Sequence, residues 1–299
     1  MVRVVMIRRE KVSFKSHGLT CNGWLYLPAD DQKPPIVLMA HGFAAEQSFR
    51  LPAFAEKFAQ AGMAVMTFDY RNFGESEGEP RNLVDPKRHI EDWISVIGFA
   101  ETLPTVDGTR IALWGSSFSG GHVLVASAKH GAISAVVSQV PFVDGLAVAR
   151  NFKPLFMSQA VANAVADAVL SLFGKVHYVK VISYPSEFAL MNTPECMPGY
   201  LALVPPDSTW ENKAPARIVL NLPFYRPISF ARKITCPVLM ICAEHDSLIP
   251  PDSVKKCASI IPRCELETLE AGHFDVYTGE TFEKVSTIET NFLRNHLFR

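Results

Sequence analysis

The 299-residue sequence has no C-x-x-C pair, no histidine cluster at metal-ligand spacing and no low-complexity tract. Its six cysteines (Cys21, Cys196, Cys236, Cys242, Cys257 and Cys264) are scattered, and a chain this long needs no disulfide staples. Cys236 and Cys242 flank and end the apolar run Pro237 to Ile241, where they read as small buried hydrophobes. The nine histidines suggest no metal site, and no cofactor is expected. No apolar run reaches the roughly 18 residues of a membrane span. Met1 to Glu10 carries positive charge without the apolar stretch of a signal sequence. A formal net charge of −1 gives no strong field for nucleic acid, an anionic membrane or a highly charged substrate. The expectation is a cytoplasmic protein with reduced thiols, acting on a small molecule. No heptad or edge-strand signal speaks to oligomeric state.

What is present is an ordinary globular composition, 48% hydrophobic and 20% charged, enough for one large core. Lys11 to Lys15 and Leu19 to Leu27 predict an antiparallel pair turning at His17-Gly18. Ile36 to Ala40, Ala64 to Phe68, Ile111 to Trp114 and Ala135 to Val140 are short apolar runs, as in strands buried on both faces. Between them, helical spacing is found over 51–61, 86–100 and 120–129. Repeated strand-helix-strand units imply parallel strands joined by right-handed crossovers. From about Phe142 to Ile234 the alternation breaks, with prolines at 154, 185, 194, 198, 205, 206, 215, 223 and 227. It resumes with a strand at 238–242, a helix at 251–259, a strand at 265–269 and a helix at 281–297. The division is therefore core 1–141, an insertion 142–234 that is mostly helical in its apolar spacing, and core 235–299.

The chemistry-bearing stretch is Trp114-Gly115-Ser116-Ser117-Phe118-Ser119-Gly120-Gly121, between a buried strand and a helix. A serine on a tight strand-to-helix turn projects its hydroxyl above the sheet, and small neighbours leave room for the strained backbone. Gly115 and Ser117 meet the G-x-S-x-G pattern, with Ser119 at its last position. Ser119 as nucleophile would sit a step into the helix, and Ser116 lacks the flanking spacing. The bland alternative for the whole stretch is a Gly/Ser helix cap without chemistry.

A serine hydroxyl needs a general base. His273, in Glu270-Ala271-Gly272-His273-Phe274-Asp275, lies on a loop just after a predicted strand, where α/β sheets assemble their sites. The acid that orients such a histidine fits Asp246, on the loop after the strand at 238–242, with Glu244 as runner-up and Asp275 as a weaker rival. The backbone N–H groups of Phe118 and of Phe43, in His41-Gly42-Phe43, are available to an oxyanion. His41 is expected to brace that loop.

The set H-G-F (41–43), D-Y-R-x-F-G-x-S (69–76), G-x-S-x-S-G-G (115–121), the Asp246 loop ending in Pro250 and G-H-F-D (272–275) resembles the α/β-hydrolase superfamily. More narrowly, Asp85-Pro86 before the Glu91-Asp92 helix, Ser138 to Phe142 and His273 to Tyr277 resemble the fungal polyketide transferase/hydrolase group and bacterial hydrolases similar to X-prolyl dipeptidyl peptidases. The resemblance implies an α/β-hydrolase fold, a mostly parallel doubly wound sheet with a helical cap, and the chain order Ser, Asp, His. Serine at 119 departs from the commonest glycine.

The expectation is an acyl-enzyme hydrolase of carboxylic esters or thioesters, with Ser117 as nucleophile, His273 as base and Asp246 orienting it. Acyl transfer, X-prolyl amide cleavage and a non-catalytic ligand-binding role are the alternatives. Over the nucleophile, Phe152, Leu155, Phe156, Met157, Phe173, Tyr178 and Tyr184 are candidates to line an apolar pocket, most of them forming the cap's own core instead.

Overall fold

The computed structural model describes residues 6–29, 33–151 and 154–298. An eight-stranded sheet forms its centre. β1 (Ile7–Ser16) and β2 (Leu19–Pro28) pair antiparallel through a turn in which His17 and Gly18 both take positive φ, 46° and 84°. Such a turn matches the twist of a hairpin. β2 lies antiparallel to β4 (Ala64–Phe68), which pairs in parallel with β3 (Pro35–Ala40). From there β5 (Asp107–Ser116), β6 (Ala135–Gln139), β9 (Val238–Ala243) and β10 (Cys264–Leu269) follow in parallel. β3, β4 and β9 are buried along their whole length, as their unbroken apolar runs require.

Because β3 is flanked by β4 on one side and β5 on the other, the winding reverses beside it. At such a reversal the loops leaving the carboxyl ends of neighbouring strands part and open a crevice. The Phe43 loop leaves β3 and the Ser117 turn leaves β5, so both open onto that crevice.

Five long helices cover the two faces of the sheet or border it. In α1 (Leu51–Gln60), Leu51, Phe54, Ala55, Phe58 and Ala59 are buried. α2 (Pro86–Thr102) starts with proline in its first turn and with the Asp85 carboxylate accepting from Lys87 N–H at 2.9 Å and Arg88 N–H at 3.2 Å. This satisfies N–H groups that have no partner inside the helix. α3 (Phe118–His130) leaves β5 directly after Ser117, while α8 (Pro251–Ile260) and α9 (Gly279–Leu297) bracket β10.

Between β6 and β9 run α4 (Gly145–Ala149), α5 (Pro154–Ser171), α6 (Cys196–Leu201) and α7 (Ile218–Asn221). They are joined by a two-stranded antiparallel ribbon of β7 (Tyr178–Val179) and β8 (Ala214–Pro215). The ribbon is absent from the sequence expectation, since two-residue strands have no readable period. A single buried carboxylate organises much of this region. Asp167 of α5 accepts from His177 N–H (2.7 Å) and from Arg217 N–H (2.9 Å), Nε (2.7 Å) and Nη2 (3.0 Å).

All six cysteines are free thiols, and five of them are buried. Among the described residues no group of three His, Cys, Asp or Glu side chains is placed to hold a metal ion. Among the same residues, no helix is long and apolar enough to cross a membrane.

Candidate active site

Ser117 stands where β5 ends and α3 begins, with φ 56° and ψ −118°. Positive φ on a residue with a β-carbon is strained and persists only when surroundings hold it. Here Ser117 N–H donates to Gln139 O at the end of β6 (2.8 Å), and Phe142 N–H donates to Ser117 O (2.9 Å). The turn is thereby clamped between neighbouring strand ends, and the hydroxyl points out of the sheet edge.

His273 Nε2 lies 3.0 Å from Ser117 Oγ, and its Nδ1 lies 2.7 Å from Asp246 Oδ2. The other carboxylate oxygen of Asp246 accepts from Leu248 N–H and Ile249 N–H, each at 2.8 Å. With both oxygens engaged, the carboxylate is fixed in rotation and favours the tautomer with the proton on Nδ1. His273 is only 2% exposed, which by itself lowers its pKa. The negative charge and hydrogen bond of Asp246, helped by the charge of Glu195, outweigh burial and hold the imidazole above its ordinary value.

The rival residues are occupied elsewhere. Ser119 Oγ is buried and bonded to Tyr70 Oη at 2.8 Å, and Tyr70 Oη also accepts from Trp93 Nε1 at 2.9 Å. A hydroxyl at the position usually held by glycine is thus absorbed by a buried polar chain. Ser116 Oγ accepts from Gln139 Nε2 at 2.9 Å and contacts the Tyr277 hydroxyl at 2.5 Å. The Glu244 carboxylate takes the ammonium of Lys255 on α8, and Asp275 accepts from Gly272 N–H at 2.7 Å.

The His41-Gly42-Phe43 loop runs close beside Ser117. Among the described residues, neither Phe43 N–H nor Phe118 N–H has an acceptor, so both remain free for an incoming oxygen. His41 Nδ1–H donates to Gly42 O at 3.0 Å, and its Nε2 lies 3.8 Å from Asp69 Oδ1. Burial pushes the His41 pKa down to about 4, so the ring is a neutral brace near pH 7. From the other side, Tyr200 Oη donates to Phe43 O and Trp210 Nε1 to Ala44 O, both at 2.9 Å. Residues of the 142–234 stretch therefore pin the loop.

A cavity of about 30 Å³ opens beside Ser117 and His273. Its apolar wall includes Phe43, Phe49, Leu51, Met191, Tyr200 and Leu203, and its lining contains no Asp, Glu, Lys or Arg. The apolar residues expected over Ser117 are placed differently. Leu155 (74% exposed), Phe173 (73%) and Tyr184 (59%) face solvent, so they form neither pocket wall nor core. Phe156 packs on Phe188, Tyr178 belongs to β7, Met157 is half-buried away from the cavity lining, and Phe152 lies outside the described residues. Sequence reading missed Met191, Tyr200 and Leu203, whose stretch carries no period, and also Glu195, whose partners are 52 and 78 residues distant in the chain.

A serine on a strand-to-helix turn, at the carboxyl edge of this sheet and facing a histidine on a later loop, defines a class of enzyme fold. Residues 35–280 match the family described as alpha/beta hydrolase fold, and the chain belongs to that enzyme family. It is 38% identical over 284 residues to the quorum-quenching protein AidA of Acinetobacter baumannii, covering 95% of this chain and 93% of that protein. Polyketide transferase af380 of Aspergillus fumigatus is 30% identical over 301 residues, covering 97% of this chain and 99% of that protein. The crystal structure of the alpha/beta hydrolase GrgF from a Penicillium species superposes with a TM-score of 0.84 at 25% identity, covering 98% of this chain and 100% of that one. The expected fold class and the resemblance to the fungal polyketide transferase group are both borne out.

Proposed function

We propose that the protein is a serine hydrolase that cleaves a carboxylic ester or thioester through an acyl-enzyme on Ser117. The observation that carries this reading is the continuous line from Ser117 Oγ to His273 Nε2 (3.0 Å) and from His273 Nδ1 to Asp246 Oδ2 (2.7 Å). His273 takes the hydroxyl proton as Ser117 Oγ attacks the acyl carbon. The carbonyl oxygen becomes an oxyanion held by Phe43 N–H and Phe118 N–H, donors whose individual removal typically costs about 3 kcal/mol in such sites. His273 then passes the proton to the departing alcohol or thiol, and a water activated by the same ring releases the acid. Asp246 holds the ring's orientation and stabilises the imidazolium.

Residues 142–234 act as the cap in this reading, with the core running through 1–141 and 235–299. The uncharged cavity suits a neutral acyl group, and it offers no acidic anchor for the free amine that an X-prolyl peptidase must bind. An acyl-transfer variant, in which an alcohol or amine replaces water, is favoured by the activity named for the af380 relative. Product analysis with an added acceptor separates transfer from hydrolysis.

The decisive experiment is labelling by a fluorophosphonate together with pre-steady-state hydrolysis of short-chain p-nitrophenyl esters and thioesters. Stoichiometric labelling and a burst are expected, both abolished by Ser117→Ala. Undiminished labelling of that variant would overturn the assignment, and tight ligand binding without turnover would support a non-catalytic role.

A further inference from the structure

Glu195 precedes α6, at a position where helices favour Ser, Thr, Asp or Asn because a short side chain can cap the helix. Its carboxylate makes no such cap. It reaches out of the 142–234 stretch into the gap between two loops of the core. Oε1 accepts from Ser247 N–H at 3.0 Å and from Ser247 Oγ–H in a short bond, while Oε2 accepts from His273 N–H at 3.1 Å. Ser247 is the residue after Asp246. One carboxylate therefore grips the chain beside the acid and at the base itself.

Local sequence makes room for it. A β-carbon at position 272 would stand 2.7 Å from Glu195 Oε2, so glycine in Gly272-His273 is the clearance through which the carboxylate passes. Thr193 adds to the grip, its Oγ1 lying 2.7 Å from Ser247 Oγ. The two loops also touch without Glu195, through His245 N–H to Ala271 O at 3.0 Å and Glu244 N–H to Leu269 O at 2.9 Å. Those bonds lie before Asp246 and before His273 in the chain. Beyond them, the segments that carry the two side chains are tied by Glu195 and by the Asp246–His273 bond itself.

We infer that Glu195 is a positioning residue that locks the Asp246 loop to the His273 loop, so that the acid–base pair is aligned only while the 142–234 stretch is seated. This rests on reading Ser117, His273 and Asp246 as the triad. The consequence is that the proposed cap does more than roof the site: it carries a part without which the base is mis-set. A free carboxylate is suited to this because it accepts from both loops at once, whereas an amide must turn one donor toward another donor.

The test reads the rate of fluorophosphonate labelling against pH in the full-length protein and in Glu195→Gln, Glu195→Asp and Glu195→Ala, with thermal melting alongside. The ionisable groups facing His273 are Asp246, Glu195, Asp275 on the Gly272 N–H, His41 across the cavity, and the phenols of Tyr200 and Tyr277. Aspartate keeps the charge but is too short to span both loops. Its plateau rate should fall about 10- to 100-fold, the scale of a misplaced catalytic group, with the acid limb near its wild-type position. Glutamine removes the charge, so the plateau should fall and the acid limb should also move to lower pH, by less than the loss of a charge in direct contact with the ring would produce. Alanine should lose both grip and charge.

Wild-type plateau and limb in all three variants would overturn the inference. So would a loss of labelling that tracks the unfolded fraction, with the folded remainder reacting at the wild-type rate. If the wild-type protein itself does not label, the triad reading fails and this inference falls with it, an outcome distinct from variants that match a reactive wild type.

Discussion

Gly42 lies so close to Ser117 that a β-carbon placed on it would stand 3.0 Å from the serine's Cβ and 3.3 Å from Ser116 O. Neither neighbour is the free end of a flexible chain, since both belong to the clamped turn. Gly42→Ala should therefore displace the loop that carries Phe43 N–H rather than be absorbed locally. A donor aimed at a developing oxyanion acts mainly in the transition state, so kcat should fall by about 10- to 100-fold with little change in KM. Steady-state kinetics on the best ester of a graded panel checks this, and an unchanged kcat would remove Phe43 from the proposed oxyanion site.

The pH dependence follows from His273. As the proposed base the ring must be unprotonated to accept the Ser117 proton, and its pKa is held above the ordinary imidazole value by Asp246 and Glu195 despite burial. Activity should then rise through an acid limb centred above the ordinary imidazole value and lie flat beyond it. Asp246→Asn removes the counter-charge in contact with the ring and favours the wrong tautomer. That variant should shift the limb to lower pH and reduce kcat by roughly 10³- to 10⁴-fold. Profiles of kcat/KM for the two proteins, read beside their labelling rates, decide it. A limb that stays in place would mean that Asp246 is not the partner of the titrating group.

Much of this site was legible in the sequence because strand ends and glycine-lined turns are local features. Ile36 to Ala40 and Ala64 to Phe68 name their strands through unbroken apolar character, and the strands in turn locate the loops at His41 and Asp69. Ser117 and Asp246 each follow such a strand and His273 follows β10, a partly exposed edge strand, so their convergence could be inferred from order along the chain. Glu195 and Tyr200 could not, since their partners are set by how an irregular stretch folds back over the sheet edge. Hydrophobic spacing also misleads on α5. Leu155, Val165, Val169 and Leu172 follow helical spacing along or just beyond α5, yet all four are exposed, because periodicity marks an apolar face and not what covers it.

The proposed cap should depend heavily on Asp167. This carboxylate is fully buried and accepts from two backbone N–H groups as well as from the Arg217 guanidinium. Asp167→Ala leaves those donors without an acceptor, and removing one partner of a buried ion pair typically costs 3–5 kcal/mol, here about 3 because Arg217 is partly solvated. The variant should be cut more readily by protease within 142–234 than elsewhere, and its KM should rise. Proteolysis with mass mapping tests the placement, and cleavage spread evenly over the chain would argue against a local role.

Glu289 predicts how stability depends on pH. It sits on α9 with no solvent exposure, one oxygen accepting from Trp114 Nε1 at 3.0 Å and the other without a partner among the described residues. Burial pushes its pKa from an ordinary 4.5 up to about 8, so the folded protein keeps the side chain protonated near neutrality. Below pH 4.5 both folded and unfolded chains hold that proton and it contributes no pH dependence. Between 4.5 and about 8 the unfolded chain releases a proton that the folded one retains. Stability should therefore fall with rising pH by up to about 1.4 kcal/mol per unit, levelling off once the folded form also ionises. Glu289→Gln removes that slope while keeping a side chain of the same shape, so its advantage over wild type should be small in acid and grow toward pH 8. Urea unfolding of both proteins at about pH 5 and about pH 8, taken as the difference between them, cancels the histidines common to both. A difference that stays constant between the two conditions would mean that Glu289 ionises in the folded protein as it does in water.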